Sequence, residues 1–265
     1  MPISLHVRHE VTPDRTLAVL QGLSAGEDVE YVTQWERQLA RLRRLGLVEQ
    51  DGITLLGEYV LAIVRRNPDL WGEIGHFLHY SLWDSDRGRE LGFSWTYQKF
   101  TDTAWHLGSF ELAAGLRETI TSSLINLAED EPDIDLTTFR KQAASISKDS
   151  LNGVLHWLAA LIPPVITRNS QFERRHFCSP ELLLLAIGHV AQQTEAELGI
   201  DLLLTPPRRD AICRLCLLEP AALDRALNWM LPLYPAVVVP GTTAGTYGRF
   251  LRFLRWPTLA DVAPR

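Results

Sequence analysis

The sequence predicts a mainly α-helical fold: an N-terminal winged helix, a helical domain behind it, and a candidate second small winged-helix-like unit at the C-terminus. Three observations predict it. Apolar residues recur at helical spacing through most of the 265 residues. A basic helix stops at Gly46, and Leu47-Val48-Glu49 then returns through Asp51-Gly52 to Ile53-Thr54-Leu55 as a short hairpin. Near the other end, Val237-Val238-Val239 reads as a strand before a turn over 240–245.

In order along the chain, Thr12 caps and Pro13 starts a helix over 12–23, with Leu17, Leu20 and Leu23 on one face. A second helix spans Val32 to Leu45, capped by Thr33 or Asp28, with Trp35, Leu39 and Leu42 as its apolar stripe. After the hairpin, a helix over Leu56 to Arg66 packs behind, which completes an expected module of residues 1–66. Residues 67–135 form an aromatic-rich helical region (Trp71, Phe77, Tyr80, Trp83, Phe93, Trp95), broken by a polar loop from Asp84 to Gly92. The acidic run Glu129 to Asp135 marks a boundary, and 136–265 is a C-terminal helical region with helices near 137–147, 150–161, 180–198, 206–218 and 220–231.

Composition narrows the function classes. A net charge of −6 argues against a protein that coats nucleic acid non-specifically, yet Arg37, Arg41, Arg43 and Arg44 fall within eight residues without an acid. Three cysteines make no disulfide framework, and neither an export signal nor a membrane-length apolar run is visible, so a cytoplasmic protein without a membrane partner is expected. Gly241 to Thr246 lacks the lysine of a phosphate-binding loop, and no nucleophile elbow is present.

The second helix is the first candidate site. Gln34, Arg37, Gln38, Arg41 and Arg44 lie away from its apolar stripe, and Arg and Gln are the side chains that reach phosphates and base edges from a helix in the major groove. A protein-docking adaptor is the alternative use of such a fold. Arg208, Arg209, Arg249, Arg252 and Arg255 are candidates for a second basic surface, or for the solvated face of a terminal amphipathic helix. His76 and His79, three apart on one helix face with Asp84 following, are candidates for a divalent metal and a nicking reaction, or are core histidines. Cys213 and Cys216 form a CxxC inside a helix with no second pair, and core packing is the better account.

The segments Leu45-Gly46-Leu47-Val48, Ile53-Thr54-Leu55-Leu56-Gly57, Asn67-Pro68-Asp69-Leu70-Trp71 and His76-Phe77-Leu78-His79-Tyr80 resemble a bacterial family of unknown function encoded in DNA phosphorothioation and phage-defence operons. The resemblance is best over 40–105, and the family's opening motif, with its Arg-Tyr-Gly-Trp run, is lacking; His9-Glu10 is at most a remnant of it. It implies a component working on double-stranded DNA beside other proteins of the same operon, with nickase components among its members. A homodimer is compatible with this reading. No cofactor is implied except a divalent metal for the nickase alternative. The resemblance carries over no set of nuclease residues.

Overall fold

The computed structural model describes residues 7, 10–27, 35–50, 52–85, 92–129, 148–167, 169–242 and 248–264. The chain opens with α1 (Pro13–Ser24), which starts where Thr12 accepts a hydrogen bond from the Arg15 amide. The next helix, α2, spans Glu36–Arg44 and closes on Gly46, whose φ of 77° is the left-handed conformation a helix stop requires. Strands β1 (Val48–Glu49) and β2 (Gly52–Ile53) pair antiparallel. Thr54 then caps α3 (Leu55–Arg66), accepting from the Gly57 amide and donating to the Gly46 carbonyl. Its hydroxyl thus ties the hairpin exit to the stop of α2.

The aromatic region supplies α4 (Leu70–Ser81), α5 (Gly92–Leu107), β3 (Phe110–Glu111) and α6 (Ala114–Glu129), followed by α7 (Lys148–Ala159) and β4 (Gln171–Phe172), which pairs with β3. Two glycines let α7 lie against α4. A Cβ on Gly72 would sit 1.9 Å from the Ala160 carbonyl oxygen, and one on Gly75 would sit 2.0 Å from the Trp157 ring. The C-terminal segment contains α8 (Pro180–Gln193), β5 (Asp201–Leu203), α9 (Pro206–Leu215), α10 (Leu223–Met230), β6 (Val238–Thr242), β7 (Arg249–Phe253) and α11 (Leu259–Val262). The strands form an antiparallel sheet in the order β5-β7-β6.

One buried apolar cluster runs through all three expected segments, from Val7 through Trp95, Trp157 and Leu185 to Val262. What joins them is the end of α9. Leu217 takes a φ of 52°, and the amides of Cys216, Leu217 and Leu218 bond back to the carbonyls of Ile212, Arg214 and Cys213. The outward-turned carbonyls of 215–218 are then satisfied from other parts of the chain. His76 Nε2 reaches Leu215 at 2.7 Å, Arg175 Nε reaches Cys216 at 2.8 Å, the Arg175 amide reaches Leu217 at 2.9 Å, and Trp105 Nε1 reaches Leu218 at 3.0 Å. A helix end buried this deeply needs such donors, because each unpaired carbonyl costs about 1–3 kcal/mol.

Several expectations change. Residues 28–34 lie outside the described residues, and with them Gln34 and both proposed caps of the second helix; so do the acidic run beyond Glu129 and the helix expected over 137–147. Residues 240–242, expected in a turn, continue strand β6 instead, and the rest of that expected turn lies outside the described residues. Arg249 and Arg252 stand on strand β7, which rules out the amphipathic-helix reading for that pair. On a strand their three-residue spacing places them on opposite faces. Among the described residues, no helix is long and apolar enough to cross a membrane.

Candidate functional site

Helix α2 divides its polar residues between core and solvent. Gln38 and Arg41 are buried, against the expectation that both face outward. Gln38 Nε2 donates to the Glu10 carbonyl at 2.9 Å. The Arg41 guanidinium lies 3.5 Å from the centroid of the Phe93 ring, a cation–π contact that fastens α2 to α5. Both therefore act as packing groups. The outer face keeps Glu36, Arg37, Ala40 and Arg44. Arg37 pairs with Glu10 at the surface.

His76 and His79 are fully buried. Because a carbonyl only accepts, His76 Nε2 carries the proton given to Leu215, and Nδ1 accepts from the Tyr97 hydroxyl at 2.8 Å. Both ring nitrogens are thus occupied. Burial, with Arg175 adding to it, holds the His76 pKa down to about 3 against an upward pull from the Leu215 bond. His79 Nδ1 donates to the Gly75 carbonyl at 2.7 Å, and its ring lies 4.5 Å from that of Trp157 and 5.2 Å from that of Tyr97. Burial first, then Arg41, lowers its pKa far below the ordinary imidazole value. Asp84 is engaged elsewhere, with Gln98 at 2.9 Å and His189 at 2.8 Å. The proposed metal triad of His76, His79 and Asp84 is therefore not assembled. Among the described residues, no group of three or more His, Cys, Asp or Glu side chains is placed to hold a metal.

Asp84 instead lines a polar cavity of about 350 Å³ between α5, α8 and α9, together with Gln98, Asp102, His189 and Arg214. Asp102 accepts from the Tyr80 hydroxyl at 2.6 Å and lies 3.4 Å from Arg214 Nε. Burial raises the Asp102 carboxyl above its ordinary range; Arg214 and the Tyr80 bond offset that only in part. No local sequence pattern marks this cluster, because Asp84, Gln98 and Asp102 meet His189 and Arg214 from helices far apart in the chain.

The second basic set separates in space. Arg209 and Arg249 converge on α10: Arg209 grips Asp224 at 3.0 and 2.7 Å, and Arg249 reaches Asn228 Oδ1 at 2.8 Å and Asp224 at 3.9 Å. Arg208 turns away to Thr194 and the Leu203 carbonyl, Arg252 pairs with Asp201, and Arg255 pairs with Asp261. Sequence reasoning missed Arg225, Asn228 and Trp229, which stand on the exposed side of α10. Their signal was the inward stripe Leu223, Leu227 and Met230, which leaves 224, 225, 228 and 229 facing out. The three cysteines are buried, and burial pushes the Cys213 thiol up to about 12, as a packing role predicts.

No protein-family model, curated protein or solved structure matches this chain.

Proposed function

We propose that the chain is a DNA-binding protein, the component of a bacterial phosphorothioation-type modification or anti-phage system that contacts double-stranded DNA. The supporting observation is the order helix, helix, hairpin, helix over residues 13–66, with α2 held from behind by Gln38 and Arg41 and presenting Arg37 and Arg44 to solvent. We read this as a winged-helix module with α2 facing the duplex. The Arg37–Glu10 pair does not oppose that use. An exposed pair of this kind contributes at most about 1 kcal/mol, so a phosphate competes for Arg37 on favourable terms. The modification or defence setting rests on the sequence resemblance. The nickase alternative has lost its named metal ligands and is not carried forward.

Salt-titrated fluorescence anisotropy with a labelled duplex tests the proposal. Wild-type protein should bind with an affinity that falls steeply with salt, and Arg37→Ala/Arg44→Ala should lower the log–log slope by about 2, roughly 0.9 per phosphate contact. Unchanged binding by that variant would remove α2 from the interface.

A docking scaffold is the second reading, favoured by Trp229 at 62% and Leu233 at 59% exposure. It predicts a protein complex that persists at high salt, where phosphate contacts do not.

A further inference from the structure

We propose that residues 180–255 form a second winged-helix unit in which α10 enters the major groove, so that the chain grips double-stranded DNA at two places. The inference rests on the DNA-binding reading above and extends it to a surface that α2 does not reach. Its first support is connectivity. A helix (α8), a strand (β5), two helices (α9 and α10) and a hairpin (β6–β7) follow one another, and the last strand pairs between the other two. In this arrangement both α9 and α10 pack on α8 while the hairpin flanks them. That is the helix-turn-helix-with-wing layout, in which the second helix of the pair is the one offered to DNA.

The second support is the chemistry of the offered face. Leu223, Leu227 and Met230 anchor α10 in the core, which turns Asp224, Arg225, Asn228 and Trp229 outward. Arg209 from α9 and Arg249 from β7 close on Asp224 from two sides. Arg225 spends one nitrogen on the His176 carbonyl at 3.1 Å. Arg209 and Arg249 thus meet one carboxylate, and Arg225 follows it on the same exposed side of the helix, so on a chain of net charge −6 these residues carry more positive than negative charge.

Asp224 sets where the two guanidinium groups sit before DNA arrives. Its negative charge also opposes the phosphates, so the carboxylate competes with the duplex for both groups. Asn228 and Trp229, one turn further along the helix, are placed beside them to meet base edges and the sugar backbone.

The experiment is anisotropy of the full chain with a labelled duplex of about 20 base pairs at several salt concentrations, with folding followed by thermal melts. Arg225→Ala/Arg249→Gln should weaken binding about tenfold or more and lower the salt slope by about 2. Asp224→Asn removes the carboxylate that Arg209 and Arg249 both meet and should tighten binding severalfold, a direction that loss of folding does not produce. If wild type binds while both variants bind as it does, α10 is not an interface and the α2 reading stands alone. If wild type binds no duplex at low salt, both proposals fall together. Weaker binding by Asp224→Asn at unchanged melting temperature would also overturn the inference.

Discussion

Removing one partner of the Glu73–Arg175 pair should cost the protein more than any surface change. Both side chains are 1% exposed. Arg175 donates from Nη1 and Nη2 to Glu73 at 2.5 and 2.9 Å, while Glu73 also accepts from the Ile162 amide at 3.1 Å. Burial alone pulls the Arg175 pKa down, but the charge and hydrogen bonds of Glu73 outweigh it and leave a net rise. The guanidinium is thus held charged in the core by one carboxylate. Its Nε satisfies the Cys216 carbonyl, so losing Arg175 also strands part of the α9 end. Breaking such a pair costs about 3–5 kcal/mol. At roughly 2 °C per kcal/mol for a chain of this size, the melting temperature of Glu73→Gln or Arg175→Met should fall by about 6–10 °C. Calorimetry on both single variants and on Glu73→Leu/Arg175→Met provides the test, and the double variant should lose less than either single, because no uncompensated charge is left behind. A single variant that melts within about 1 °C of wild type would mean that no uncompensated buried charge is left when the pair is broken.

Three further outcomes follow from the same contacts. The folded pKa of His76 lies below the unfolded value of 6.5, so its stabilisation is present above that pH and is lost as pH falls toward about 3, at about 1.4 kcal/mol per pH unit. His79 is lowered in the same sense, so both imidazoles take up protons on unfolding near pH 5, while the raised Asp102 carboxyl acts in the opposite sense; calorimetry in buffers of different ionisation enthalpy should show His76→Gln reducing the net uptake by about one proton. Gly75→Ala should force α7 away from α4, lowering stability by about 1–3 kcal/mol and shifting tryptophan fluorescence, because the new Cβ meets the Trp157 ring. Thr54→Ala removes the cap of α3 and its bond to Gly46, and chemical denaturation should show a loss of about 1–2 kcal/mol with an unchanged m-value.

Local chemistry made much of the helical framework legible. Thr12-Pro13 and Ser179-Pro180 mark starts of α1 and α8 that the structure reproduces, and Gly46 marks the stop of α2. Those signals act within a turn of the chain, which is why they survive reading without a structure. The orientation of Gln38 and Arg41 was not legible, because what covers them comes from Glu10 and Phe93, remote in sequence. His76 illustrates the same limit. Its partners Tyr97 and Leu215 decide that it is a buried helix-end donor, and no spacing rule distinguishes that from a metal ligand. Strands β3 and β4 pair over two residues each, too short for alternation to show, and β5 shows itself only through β7.

Hydrogen–deuterium exchange of the full chain with and without a saturating duplex shows whether, and where, the protein contacts DNA. Contact through the N-terminal module should slow exchange in α2 with its hairpin, residues 36–53, and leave exchange in the buried α4 unchanged. Protection confined to the walls of the Asp84–Asp102 cavity, or no protection anywhere under conditions of saturation, would contradict it.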